Sequence, residues 1–435
     1  MAGYALHVLR TMDSTAPPLR ILLRRELCEA LTLEWAQKLQ ELRELDERLA
    51  QESAKPGARG GDASDSDSLP DKTVGTRALP PERLRRRDEL SPEEQAQLIE
   101  SFEERDPALA AQFPVHRVLR GRDVLDAVLR ARDVRDGDNS KKELELLARV
   151  IRQGAFRAVR NPGRDAGQWT GICRRLDTHH PQFRSVTQLV KACADLATEG
   201  HCALRVPPIL LVGPPGIGKT HYAFDLADAM GLPIRIQSME NAQSPALFLG
   251  TERHWSTSGT GILFELVVLG EVANPVVVID EIDKCKAGHY EPTNAFHTLL
   301  EPRTAACVRD AGLDLPFDAS LVFYIATAND EHALPLSLRS RFKIFPILPP
   351  TGAEALDLAH VVATDAVAML RVPGFAPPPR SLTKALAHLT AREIKNTTQV
   401  AVGAARAAGR KHLDLLDFPA DLLDDQDIPN ARRLH

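Results

Sequence analysis

The sequence predicts an α/β protein, a parallel sheet covered by helices on both faces, preceded by a mainly helical N-terminal region. Three observations predict it. From residue 205 onward, five short runs rich in Val, Ile and Leu alternate with longer amphipathic stretches, the texture required of a parallel sheet buried on both faces. Residues 90–200, ahead of them, carry helical periodicity without such runs. The first apolar run also leads directly into a glycine-rich loop with phosphate-binding spacing, followed by a helical pattern.

Taken in order, residues 1–50 contain Leu31, Trp35, Leu39, Leu42, Leu45 and Leu49 at spacings of three and four. This is an amphipathic helix with weak heptad character, suited either to a coiled-coil partner or to packing on its own domain. Residues 51–89 are rich in Gly, Ser, Asp and Pro; with almost no large apolar side chains to bury, they read as a flexible linker. The linker ends in a basic run, RLRRR, which suits a solvated face or contact with nucleic acid phosphates. Residues 90–185 read as a helical domain, with SPEEQAQLIESF opening on a capping-box pattern and periodic segments in VLDAVLRARDV and KKELELLARVIRQ. The five predicted strands are Pro208–Val212, Pro233–Ile236, Pro275–Ile279, Leu321–Ala326 and Ile344–Leu348.

The 435 residues suggest two or three domains. With 54 Lys+Arg and 59 Asp+Glu the formal charge is −5, which argues against a generic polyanion binder while leaving room for a local basic patch. No apolar stretch approaches the ~20 residues of a membrane span, and the N-terminus carries no apolar segment of signal-peptide length. The chain therefore reads as cytoplasmic, with no membrane association. Six cysteines without a CxxC pair fit a reducing compartment. The pairs His179 and His180, and His201 and Cys202, lack the rest of a metal-ligand set.

The chemistry begins at Gly213-Pro214-Pro215-Gly216-Ile217-Gly218-Lys219-Thr220, a complete GxxxxGK[ST] between strand and helix. Its glycines let successive backbone N–H groups turn toward a polyphosphate at the positive end of the following helix. Lys219 supplies a point charge to the outer phosphates, and the Thr220 hydroxyl can ligate Mg²⁺. The third run ends in Asp280-Glu281: Asp280 is placed to hold the Mg²⁺ shell and Glu281 to activate an attacking water. Asn329 ends the fourth run, where a neutral amide can orient that water without adding charge. Further on, Leu338-Arg-Ser-Arg341-Phe offers an arginine that could stabilise charge in the transition state.

GPPGIGKT, NPVVVIDEIDK, IATAND and SLRSRF, in this order, resemble the AAA+ ATPase module, and within it the module of Lon proteases, over about 200 residues from Arg205 to near Arg406. The resemblance implies an AAA+ αβα Rossmann-like P-loop subdomain over 186–349, a small helical lid over 350–410, and an acidic tail over 411–435. It implies ATP with Mg²⁺ bound between protomers of a homo-oligomeric ring, usually a hexamer. Lys219 and Thr220 would then form Walker A, Asp280 and Glu281 Walker B, and Asn329 sensor 1. Arg341 matches the arginine finger acting in trans, with Arg339 as runner-up, and Arg392 in the lid matches sensor 2. RDAGLDLPFD resembles the hairpin found before sensor 1 in the Lon-related clade.

Between the second and third runs lies a polar, Gly-bearing segment carrying Trp255. The polar setting suits a ring displayed by a loop, and the resemblance makes it a pore loop whose aromatic grips unfolded polypeptide; the lesser alternative is a ring that anchors the loop on its own domain. His289 and Tyr290 are candidates for a second pore loop. After the lid only about 25 residues follow, too few for a Ser-Lys peptidase domain, so proteolysis in the same chain is not expected. Three readings follow: a ring that remodels or threads a protein substrate, a nucleic-acid-directed loader or translocase, and an ATP-gated assembly scaffold.

Overall fold

The computed structural model describes residues 92–133, 137–240, 245–251, 259–285 and 293–419. The expected helix over 31–49, the linker, the RLRRR run, Trp255, His289, Tyr290 and most of the acidic tail lie outside them. The described residues fall into two compact units, 92–106 with 120–155, and 107–119 with 156–419.

The first unit is built from α1 (Pro92–Glu103), α2 (Gly121–Asp133) and α3 (Gly137–Gln153). Val124 and Leu125 of α2 and Leu144, Leu147 and Ile151 of α3 are all buried, as is Phe102 of α1, so α2 and α3 turn apolar faces inward. The helices fall where the capping-box and periodic segments predict them.

The second unit, after a short helix Pro107–Gln112 and an antiparallel pair of Val115–Arg117 with Phe156–Ala158, contains α4 (Ala166–His179) and α5 (Arg184–Glu199) and continues through β1 (Ile209–Val212), α6 (Lys219–Ala229), β2 (Ile234–Ser238), β3 (Val276–Asp280), β4 (Phe323–Ala328) and β5 (Lys343–Pro346). The five strands form one sheet in the order β2-β3-β4-β1-β5, with every pairing parallel. Alternate residues face opposite sides of a strand. One set, Ile209, Leu211, Val276, Val278, Phe323 and Ile325, packs with Trp169, Phe183, Val186 and Val190 from the preceding helical segment and with Tyr222 and Leu226 of α6. The opposite set, Leu210, Val277, Ile279, Tyr324 and Ala326, is buried as well, which is why these runs read as continuously apolar rather than alternating.

Ahead of β4, RDAGLDLPFD forms an antiparallel hairpin, Val308–Asp310 against Leu315–Phe317. Asp310 at its turn is fully buried and accepts hydrogen bonds from the backbone N–H groups of Gly261 (2.8 Å) and Leu313 (3.0 Å). Burial pushes its carboxyl up to about 6 against the opposing pull of those N–H groups.

After the sheet come α7 (Gly352–Met369) and α8 (Ala391–Ala407). Ala359 and Ala363 of α7 and Ala401 and Ala405 of α8 belong to one core with Val367, Leu382, Leu386 and Ile394; small side chains let the helix backbones approach closely. A capping box starts α8: Thr390 Oγ1 accepts from Glu393 N, and Glu393 Oε2 accepts from Thr390 N at 2.8 Å. Those bonds to Thr390 hold the Glu393 carboxyl below its usual range. Among the described residues no helix is long and apolar enough to cross a membrane.

Phe183 is fully buried and stacks on Tyr222 with ring centroids 4.3 Å apart. Phe183→Ala is therefore expected to cost about 3–5 kcal/mol of stability, read as a lowered urea midpoint at unchanged slope.

Candidate nucleotide site

The strand order brings the predicted motifs together before any side chain is considered. β4 lies between β1 and β3, all three parallel, so their carboxyl ends open on the same edge of the sheet, where α/β sheets receive ligands. β1 delivers the phosphate-loop sequence, β3 delivers Asp280 and Glu281, and β4 delivers Asn329 between them.

The loop is shaped by its glycines. Gly216 and Gly218 sit at φ +82° and +98°, left-handed backbone that a side chain resists. A Cβ on Gly213 would stand 2.4 Å from the Ile347 carbonyl oxygen, so the loop can leave β1 only through a glycine. α6 then opens at Lys219 and presents its N-terminal N–H groups to the loop.

Lys219 is only 7% exposed. Its Nζ donates to the carbonyls of Gly213 (2.6 Å) and Pro214 (3.1 Å) and to Asn329 Oδ1 (2.9 Å). Burial pushes the ammonium below the usual lysine range; the charges of Asp283, Asp280 and Glu281 oppose this, and Arg392 adds to it.

Asp280 Oδ1 accepts two hydroxyls, Thr220 Oγ1 and Thr327 Oγ1, each at 2.7 Å. Thr327 Oγ1 in turn accepts from the backbone N–H of Glu281 at 2.9 Å, so one hydroxyl of β4 ties both acidic residues to the sheet. Glu281 turns the chain out of β3 in a left-handed conformation, φ 56° and ψ 50°, a strain of about 1–3 kcal/mol for a non-glycine residue. The following turn brings Asp283 back to β4, where its Oδ2 accepts from Asn329 N (3.1 Å) and Asp330 N (3.3 Å).

A cavity of about 950 Å³ opens above these groups. Pro215, Gly216, Ile217, Gly218, Lys219, Thr220, Asp280, Glu281, Asn329 and Arg392 all line it, with Leu358, Val362 and Met369 of α7 forming an apolar wall. Gly213 and Pro214 contribute carbonyls to Lys219. Arg339 and Arg341 are not among its lining residues. Arg339 Nη1 bonds His332 Nδ1 at 3.0 Å, and Arg341 Nη1 donates to Ser337 O within its own turn, leaving its buried Nε without a partner.

Three contributors escaped the sequence reading. The Thr327 hydroxyl had a signal, since it stands at the carboxyl end of β4, two residues before Asn329. Asp283 lies inside the acidic motif with no local sign of its use. His180, set aside above as a poor metal ligand, lines the cavity and pairs through Nε2 with Asp225 Oδ2 at 2.7 Å. Burial would raise the Asp225 carboxyl, but the hydrogen bond from His180 and the nearby imidazoles hold it below its usual range. Among the described residues no cluster of His, Cys, Asp and Glu could hold a metal by itself. For Mg²⁺ with a polyphosphate the donors do fit: a hydroxyl and a carboxylate oxygen 2.7 Å apart are hard oxygen ligands, and Mg²⁺ takes its remaining ligands from water and phosphate.

Residues 209–349 match the model of the ATPase family associated with various cellular activities (AAA). A Lon protease of Chloroflexus aggregans is 33% identical over 186 residues, 42% of this chain and 23% of the relative. One of Methylocella silvestris is 33% identical over 191 residues, 43% of this chain and 23% of the relative. The RuvB Holliday junction branch migration motor of Thermotoga maritima overlays 57% of this chain and 66% of its own, at 16% identity and a TM-score of 0.36. The chain thus spans about a quarter of the length of the curated relatives it matches. Residues 209–349 carry the AAA+ αβα P-loop fold, and this region is similar to the ATPase module of Lon proteases.

A Cβ on Gly216 would meet Thr390 Oγ1 at 3.3 Å on left-handed backbone. Gly216→Ala should weaken ATP binding by about tenfold, equivalent to ~1.4 kcal/mol, measured by titration with a fluorescent ATP analogue.

Proposed function

We propose, from the AAA+ domain at residues 209–349 and the geometry of its cavity, that the chain hydrolyses ATP in a ring oligomer to remodel or thread a protein substrate. The observation that carries the ATPase reading is the hydrogen-bonded chain from Lys219 through Asn329, and from Thr220 through Asp280 and Thr327 to Glu281, on one sheet edge. In this reading the phosphate loop and the N-terminus of α6 bind the polyphosphate, with Lys219 exchanging its carbonyl partners for phosphate oxygens. Thr220 and Asp280 hold the Mg²⁺ shell; the ion supplies charge neutralisation at the phosphate oxygens. Glu281 takes the proton of the attacking water, Asn329 orients that water, and Arg392 reports the nucleotide to the lid.

Arg341 would act on the γ-phosphate of a neighbouring protomer. Its position outside the lining of its own cavity is compatible with that, with Arg339 as the second candidate. A ring is implied because each site would then be completed by the next subunit. Gripping of polypeptide is assigned to Trp255 on the grounds of sequence alone. The charge of −5 favours a protein substrate over nucleic acid, and cysteines without a CxxC pair suit the cytoplasm as the place of action.

Glu281→Gln should keep ATP affinity within about threefold and lower kcat about 100-fold or more; hydrolysis at the wild-type rate would refute the site. Arg341→Ala and Lys219→Ala should each be inactive alone, whereas mixing the two purified proteins should restore measurable phosphate release, because intact cavities then meet intact arginines. Absence of any recovery would argue against a shared site. Unfolded protein should raise the ATPase rate; stimulation by DNA or RNA with a steep salt dependence would instead assign a nucleic acid substrate.

A further inference from the structure

We propose that Asp283 is the positioning residue that sets Asn329 at the reacting end of the site. The β3–β4 ladder ends at the pair Ile279 and Ala326, and β4 itself ends at Ala328. Beyond that point the N–H groups of Asn329 and Asp330 have lost the neighbouring strand that would fix them. Asp283 replaces it: one carboxylate oxygen, Oδ2, accepts both N–H groups, at 3.1 and 3.3 Å. Two adjacent amides held on one oxygen set the direction in which the backbone leaves the strand, and with it the Cα–Cβ vector of Asn329. The Asn329 side chain then reaches Lys219 Nζ at 2.9 Å.

The carboxylate is itself delivered by geometry. Glu281 at φ 56° reverses the chain out of β3, and the short 3₁₀ turn Ile282–Lys284 returns Asp283 toward the neighbouring strand. The turn that aims Glu281 at the cavity therefore also carries the clamp on Asn329, so that the candidate general base and the candidate water-orienting amide share one rigid connection. Asp283 Oδ1 is buried with no hydrogen-bond partner, and an unsatisfied buried oxygen costs stability. A carboxylate kept at that cost fits a role in placing Asn329 better than a contribution to folding.

The inference rests on the reading of Asn329 given above, and the test separates the two. Full-length Asn329→Ala, Asp283→Ala, Asp283→Asn and the double variant Asp283→Ala/Asn329→Ala are compared for ATP dissociation constant and for kcat. Asn329→Ala should lower kcat about 100-fold. Asp283→Ala should lower kcat about tenfold or more while the dissociation constant stays within about threefold, and the double variant should be no slower than Asn329→Ala alone, because residues acting as a unit are not additive. Asp283→Asn, whose amide oxygen can still accept both N–H groups, should return kcat to within about threefold of wild type. Wild-type kcat in Asp283→Ala, a weakened ATP affinity that matches the loss of rate, no rescue by Asn, or full multiplication in the double variant overturns the positioning role alone. An unchanged kcat in Asn329→Ala overturns the reading of Asn329, and this inference with it.

Discussion

Three parallel strands that end side by side on one edge are the constraint on which the rest of the site depends. Lys219 and Thr220 follow β1, Asp280 and Glu281 close β3, and Asn329 follows β4, which lies between the other two. The three sets are carried by three different strands, so their geometry exists only when the sheet does. The sheet in turn needs cover on both faces, because its strands carry apolar residues on each. Part of that cover, Trp169, Phe183, Val186 and Val190, precedes the segment matched by the family model. The chemistry is therefore embedded in a larger unit than the motifs alone delimit.

The acid side of the site is organised by hydroxyls rather than by cations. Asp280 is met by Thr220 and Thr327, and the Glu281 backbone by Thr327. Neutral donors fix a carboxylate without cancelling its charge, which leaves that charge available to a metal ion. On the opposite side Lys219 is buried and engaged by two carbonyls and an amide, neutral partners that in the proposed function would give way to phosphate oxygens without leaving a buried anion behind.

What the sequence revealed and what it concealed divide along the range of the interactions. The strands, the phosphate loop and the helix after it were legible, since apolar runs and glycine spacing are local properties; all five strands lie within two residues of the predicted runs. The roles of Thr327, Asp283 and the His180–Asp225 pair were not. Their partners stand 47, 46 and 45 residues away, and nothing nearby distinguishes a clamping Asp from a solvated one. Arg392 was reached only through resemblance, because it comes to the cavity from α8, which no strand pattern announces.

The contact of Gly213 with Ile347 carries one more consequence. The missing Cβ of Gly213 lets the first residue of the phosphate loop lie against the carbonyl of Ile347, and Ile347 N is bonded to Val212 O at 2.7 Å. Five residues later the chain enters α7 at Gly352. The loop and the segment leading into α7 thus touch through main-chain atoms alone. Such a contact is indifferent to the side chain at position 347: exchanging that residue leaves it in place, provided the glycine opposite is kept.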